Sequence, residues 1–325
     1  MAASVLVVGG AGYIGSHMVA ELLARGCRVT TFDNLSTGHR DAVLGGEFIQ
    51  GDLADRAALD ALFQSRRFDA VMHFASFIQV GESVREPAKY YANNVTNTLN
   101  LLDAMVAHGV GRFIFSSSAA VYGNPLAVPI AEDHPRQPIN PYGRTKAMVE
   151  DILADYDRAY GLRSVCLRYF NAAGADPAGR LGERHEPETH LIPLVLRAAA
   201  GRLPHISVFG RDYDTPDGTC IRDYVHVADL AAAHWLALEY LLAGGGSTAF
   251  NLGNGAGFSV AEVIATAERV TGRAIPVQDA PRRPGDPPRL VADATRAREV
   301  LGWRPRHEAL ATLIAHAWQL ECRAP

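Results

Sequence analysis

Tyr142 and Lys146 stand four positions apart in NPYGRTKAMVE (140–150), and the lysine is one of only two in the chain. Of 31 basic side chains, 29 are arginine; the other lysine is Lys89. A protein that uses arginine almost everywhere and keeps a lysine here invites a chemical reading. Spacing of i, i+4 puts both side chains on one helical face. A free tyrosine, with a pKa of about 10, is a poor base at neutral pH, whereas nearby positive charge pushes it toward phenolate and brings it into the range where general acid–base catalysis is effective. Lysine's compact ammonium can stabilise the phenolate and also reach hydroxyl groups close by, where arginine presents a broad delocalised fork.

FIFSSSAAVYG supplies Ser116, Ser117 and Ser118 at the carboxyl end of an apolar run. That is the edge at which open α/β sheets bind their ligands, and Ser118 would donate or relay a hydrogen bond at a reacting oxygen. VVGGAGYIGSH places Gly10, Gly12 and Gly15 in GxGxxG register and Gly9, Gly12 and Gly15 in GxxGxxG register, after a strand and at the start of a helix. Glycines there let the backbone approach a pyrophosphate, whose charge meets free N–H groups and the positive end of the helix dipole. Asp33 ends VTTFD at the distance where a carboxylate accepts from adenosine ribose hydroxyls. A 2′-phosphate would meet like charge at that point, so NAD is favoured over NADP, with Arg40 nearby as the countervailing feature. Asp52 in IQGDL ends the third strand beside the expected adenine position, or else caps a turn. With NAD in place, the oxidised nicotinamide is the second positive charge acting on Tyr142.

These residues need a scaffold. VLVVG, RVTTFD, EFIQGD, AVMHFA and RFIFSSS read as apolar strands, alternating with helix-patterned segments that include 13–26 and 86–109. Such alternation predicts an α/β protein with a Rossmann-type doubly wound parallel sheet. From about residue 171 the pattern loosens into Pro-, Gly- and charge-rich stretches. Two helices stay legible there: VADLAAAHWLALEYLL, and one opening at Ser259, where SVAE forms a capping box. The expected division is a NAD-binding domain over 1–174 and a smaller α/β substrate-binding domain over 175–325, with the 222–250 segment packing back on the first.

A formal charge of −4 gives no polybasic surface, which argues against nucleic acid or an anionic membrane as partner. Cys27, Cys166, Cys220 and Cys322 form no CxxC pair, as expected of reduced thiols in a cytoplasmic protein. No stretch approaches the ~20 apolar residues of a membrane span.

The glycine loop, Asp33, the serine strand and YxxxK in this order resemble the extended short-chain dehydrogenase/reductase family. GYIGSH, VGESV, FSSSAAVYG, PYGRTK, LRYFNAAGA, GTCIRDYVHVADLA and RRPGDPPRLVADA are similar to its nucleotide-sugar 4-epimerases in particular. The resemblance implies interconversion of UDP-glucose and UDP-galactose through a transient 4-keto sugar, with bound NAD as hydride carrier. It implies Tyr142 as general base, Lys146 as the cation that tunes it, and Ser118 as hydrogen-bond partner of the reacting oxygen. Around NAD it places Gly9, Gly12, Tyr13, Ile14, Gly15, Asp33, Asn34, Asp52, Leu53, Phe74, Asn93, Ser116, Tyr142, Lys146 and Tyr169. Around the UDP-sugar it places Ser118, Tyr142, Asn171, His190, Arg222, Arg283, Asp286 and Leu290. Ile78 stands where one bacterial form has a lysine, and His190 where it has asparagine. Leu290 stands where the family varies with tolerance of N-acetylated sugars, so a UDP-N-acetylhexosamine or UDP-pentose 4-epimerase is the alternative, and a non-enzymatic NAD-binding protein the remotest reading. The family also implies a homodimer built on the helix bearing Tyr90 and Tyr91 and the one starting near Tyr142.

RHEPETH offers no metal helix: His185 and His190 are five apart with a proline between them, so they cannot share a face as HExxH requires, and no metal is expected. His73 reads as a structural histidine.

Overall fold

The protein, represented by a computed structural model, is described over residues 2–283 and 286–323. Its first half alternates strands with helices, except that no α-helix separates β2 from β3: β1 (Ser4–Val8), α1 (Tyr13–Ala24), β2 (Arg28–Asp33), β3 (Glu47–Gln50), α2 (Arg56–Ser65) and β4 (Ala70–His73). There follow α3 (Val80–Arg85), α4 (Pro87–Tyr91), α5 (Asn97–Ala107), β5 (Arg112–Ser118), α6 (Pro141–Tyr160), β6 (Arg163–Tyr169) and β7 (Asn171–Ala173). The helix expected over 86–109 is α4 and α5 joined by a π turn over Ala92–Thr96, a wide turn of the kind frequent at functional sites.

The second half begins with α7 (Leu191–Ala199), β8 (Ile206–Phe209), β9 (Ile221–Arg222), β10 (Tyr224–His226), α8 (Val227–Leu242) and β11 (Thr248–Leu252). It ends with β12 (Phe258–Ser259), α9 (Val260–Thr271), β13 (Val277–Ala280), β14 (Arg289–Leu290), α10 (Thr295–Val300) and α11 (Leu310–Glu321). The capping box at Ser259 forms as read, with Glu262 closing it.

Seven strands make one parallel sheet in the order β11-β6-β5-β4-β1-β2-β3. The chain winds from β1 outward through β2 and β3, returns to β4 and winds the other way, which is the Rossmann-type doubly wound α/β fold. The order reverses between β1 and β4, so a crevice opens at their carboxyl ends. Both faces of the sheet are covered. Met18 and Leu22 of α1 and Leu230, Ala237 and Leu241 of α8 pack on one; Leu59 and Phe63 of α2, Leu101 and Met105 of α5, and Val149 and Leu153 of α6 pack on the other. A fully buried Leu, Val or Phe contributes about 1.5–3 kcal/mol, so these faces hold the rim loops on a rigid base.

The 222–250 segment supplies α8 and most of β11, the strand that extends the sheet beyond β6. A separate apolar cluster joins α7, α9 and α11 through Val195, Leu196, Val263, Leu313 and Ile314, beside the small pair β8–β13. Between the two lies the short sheet β12-β9-β14, in which Arg222 pairs with both Phe258 and Leu290.

Candidate active site

Strand β1 delivers the chain into the glycine loop with Gly9 at φ +77°, a conformation L side chains rarely adopt. The glycines have different reasons to be there. A Cβ at Gly15 would lie 2.2 Å from the Gly9 carbonyl oxygen, and one at Gly9 would lie 2.5 Å from the Ala75 backbone nitrogen; both are required by the fold itself. Gly12, at the N-cap of α1, is different: a Cβ there would meet nothing nearer than the Gly9 oxygen at 3.4 Å. Its small size serves something from outside the chain. The first turn of α1 holds no acidic side chain, and no side chain caps its N–H groups. Such a loop, with free N–H groups at the positive end of a helix, has the chemistry to receive a diphosphate.

The glycine loop opens on a cleft at the reversal point of the sheet. Gly9, Gly12, Asp33, Asn34, Asp52, Leu53, Phe74 and Asn93 all line it, as the sequence leads one to expect. Ser36, Thr37, Gly38 and Ser76 line it too, although no motif marks them. Asp33 has a second duty: it accepts from the Ala11 N–H at 2.9 Å and the Leu35 N–H at 2.8 Å, tying the glycine loop to the end of β2. Each oxygen keeps a lone pair for a ribose hydroxyl. Leu35, at φ +60°, is the one non-glycine residue with positive φ among the described residues, a strained turn directly beside the cleft. Asp52 caps the turn at the Ala54 N–H, the second of the two readings given for it, and accepts from Asn34 at 2.7 Å at the edge of the cleft. Tyr13, Ile14 and Gly15 lie outside the cleft lining; the Tyr13 hydroxyl donates to the Gly174 carbonyl at 2.6 Å and joins α1 to the chain beyond β7.

The two lysines have different surroundings. Lys89 is 38% exposed and pairs with Glu82 at 2.6 Å. Lys146 is 3% exposed and donates to Ser76 Oγ and to the Ser116 carbonyl, each at 2.8 Å. Its ammonium lies 5.9 Å from the centroid of the Tyr142 ring and 4.7 Å from that of Phe115. Both residues come from α6, which starts cleanly because Asn140 caps it through the Gly143 N–H at 2.8 Å and Pro141 takes its first position. Ser118 accepts from the Ala120 N–H at 3.1 Å, leaving its own proton to donate. Tyr142, Lys146, Ser116 and Ser118 are thus held where β5 meets α6.

The ammonium of Lys146 alone does not make Tyr142 acidic. Burial raises its pKa above the ordinary value, and the hydrogen bond from Ser118 lowers it only in part. Burial also lowers Lys146 to about 7, against the opposing pull of the Glu150 carboxylate. The protein's own charges therefore do not make the phenol acidic. Glu150 was not foreseen, although it follows Lys146 at the same four-residue spacing on the same face. It accepts from Ser117 at 2.5 Å and pairs with the buried Arg168 at 2.6 Å. Asn94, also unforeseen, holds Phe77 by both backbone groups and donates to Thr145 at 3.2 Å, locking the π turn to α6. His73 is structural: fully buried, lowered by burial to about 3, and 3.3 Å from Thr98.

Of the residues expected at the sugar nucleotide, Arg222 and Asp286 come together at 3.6 Å, and two backbone carbonyls fix the Arg222 guanidinium at 2.9 Å. Asn171 donates to the Asp223 carbonyl, Leu290 packs beside Tyr122 and Val121, and Arg283 stacks on Phe209 at 4.1 Å rather than joining Arg222. Tyr169 lies 6.1 Å from the His234 ring. His190 is held by its own loop. Its Nδ1 is taken by Glu183 at 2.8 Å and Glu188 at 2.9 Å, so only Nε2 is free for a substrate. Burial alone would lower its pKa, but the two carboxylates outweigh this and raise it to about 10. His185 and His190 share no helix face, as read, but the irregular segment before α7 brings their ring centroids to 5.2 Å.

The comparisons agree with this geometry. The sequence profile of the NAD dependent epimerase/dehydratase family matches residues 5–253. The chain is 52% identical over 315 residues to a UDP-glucose 4-epimerase of Halalkalibacterium halodurans (97% of this chain, 94% of that protein). It is 53% identical over 321 residues to one of Rhizobium leguminosarum bv. trifolii (99% and 98%). The crystal structure of UDP-glucose 4-epimerase from Brucella ovis in complex with NAD superposes with a TM-score of 0.96, at 54% identity and 98% coverage of both chains. With a family profile spanning most of its length and full-length relatives above half identity, the chain belongs to the NAD dependent epimerase/dehydratase family.

Proposed function

We propose that this protein is an NAD-dependent 4-epimerase interconverting UDP-glucose and UDP-galactose through a transient 4-keto sugar. The observation that carries this is the meeting of half-buried Tyr142 and buried Lys146 of α6 with buried Ser118 at the end of β5, beside a glycine loop open to a dinucleotide. When bound, NAD supplies the hydride acceptor that makes C4 a ketone and returns the hydride to either face. The protein's residues do the rest. Tyr142 takes the proton of the 4-hydroxyl and gives it back, and Ser118 donates to the oxygen that changes charge. Lys146, fixed by Ser76 and Ser116, favours the phenolate electrostatically. Arginine suits a diphosphate, and a sugar that must turn over is best held by its UDP half, the role we give to Arg222, Arg283, Asn171 and Asp286.

A dehydratase would need a further acid beside Ser118, where this chain has Ala119 and Ala120. We further propose the division into a NAD-binding domain over 1–174 and a nucleotide-sugar domain over 175–325, and assembly as a cytoplasmic homodimer. No helix among the described residues is long and apolar enough to cross a membrane. The test of the activity is to incubate purified protein with UDP-galactose and no added nucleotide: UDP-glucose forms up to an equilibrium mixture if the reading holds. A protein that carries NAD yet leaves UDP-galactose unchanged refutes it.

A further inference from the structure

The segment GERHEPETH (182–190) leads into α7 and, apart from the free Nε2 of His190, has no part in the chemistry above. It gathers Glu183, His185, Glu188 and His190 so that one donor atom from each lies within 4.8 Å of every other. His190 Nδ1 is 2.8 and 2.9 Å from the two carboxylates, and His185 Nδ1 is 3.0 Å from Glu183 and 3.8 Å from Glu188. We infer that these four side chains bind one divalent transition-metal ion, with Zn²⁺ the best match to two imidazole nitrogens and two carboxylate oxygens.

A second observation points the same way. Glu188 is nine-tenths buried, and its Oε2, on the side facing His185, has no hydrogen-bond partner. A buried carboxylate oxygen with no donor is costly, and a cation is the natural way to satisfy it. The other oxygen is already oriented, accepting from the Thr189 and His190 N–H groups at 2.7 and 2.8 Å, the kind of outer support that metal-ligating carboxylates have. Tetrahedral coordination at about 2.0–2.2 Å puts donors roughly 3.4 Å apart, so the present separations need only small side-chain rotations. None of the four residues lines the NAD cleft. His185 meets the edge of the Tyr13 ring at 6.2 Å, so an ion here would fasten the 182–190 loop against the first turn of α1. The competing occupant is a proton on His190, which would leave the cluster a plain ion pair.

The test is a zinc titration of full-length, NAD-loaded protein, with bound metal counted after gel filtration. One Zn²⁺ per chain is expected. His185→Ala and Glu188→Gln should each weaken binding by more than about 100-fold, since even outer partners of a metal site cost 10–100-fold. His307→Ala, in the separate cluster of His226, His307 and His316, should leave it unchanged. Circular dichroism and NAD content show whether each variant folds, and the near-isosteric Glu188→Gln decides if His185→Ala does not. A parent chain that retains no stoichiometric zinc overturns the inference. So does zinc content that survives in folded Glu188→Gln, or that is lost only in His307→Ala.

Discussion

The ammonium of Lys146 donates to the backbone carbonyl of Ser116 at 2.8 Å, so the carboxyl end of β5 and the second turn of α6 are joined through a single buried charge. That bond explains why the lysine is fixed in place: with Ser76 accepting at the same distance, the side chain has no room to follow solvent. It also explains a cost, because a charge in this position is desolvated whenever it is present.

Removing that charge should therefore stabilise the protein while disabling it. Burial lowers Lys146 to about 7 from an ordinary 10.5. Between those values the unfolded chain binds more protons than the folded one, so stability rises with pH across that window. The cost of the lysine is full below about pH 7 and is relieved as pH approaches 10.5. Lys146→Met, melted without NAD, should unfold at a higher temperature than the parent near neutral pH, and the gap should narrow by about pH 9.5. A gap that is constant with pH, or of opposite sign, contradicts the desolvated charge.

The glycine loop can be dissected by thermal melts and NAD content together. Gly12→Ala places its Cβ in ordinary contact, so stability should stay within about 0.5 kcal/mol while NAD affinity falls at least tenfold, about 1.4 kcal/mol. Gly15→Ala drives a Cβ to 2.2 Å from the Gly9 carbonyl and should destabilise the fold itself. Equal effects from the two variants would refute the assignment of Gly12 to the cofactor.

Glu150 is expected to act mainly on stability. Its carboxylate and the Arg168 guanidinium are 5% and 7% exposed, so Glu150→Gln leaves a buried cation without its partner. Loss of about 3–5 kcal/mol is expected in denaturant unfolding. Asp155→Asn, in the exposed pair with Arg158, should cost no more than about 1 kcal/mol. Comparable losses from the two would show that the buried pair is not special.

Much of this site was legible because its parts are local in sequence. The glycine register, Asp33 at the end of β2, the serines ending β5 and the Tyr142–Lys146 spacing each follow from a strand or helix period, and the sheet brings them to one edge without further information. What escaped depends on contacts between distant segments or on burial. Ser76 supports a lysine 70 positions away, and Asn94 reaches Thr145 across 51. Glu150 could have been found from its spacing, since it continues the Tyr142, Lys146 series by another four. The 182–190 loop escaped because the helical test for paired histidines does not apply to irregular backbone. The acidity assigned to Tyr142 took account of neighbouring charge but not of the desolvation that opposes it.

The central claim is that Tyr142 moves the proton of the sugar hydroxyl, and its most direct test is the epimerisation rate of Tyr142→Phe against the parent at equal NAD content. Loss of a positioned acid–base group predicts a fall in kcat of about 10²–10⁴-fold with NAD still bound. A variant that retains its cofactor and epimerises UDP-galactose at close to the parental rate would contradict the account.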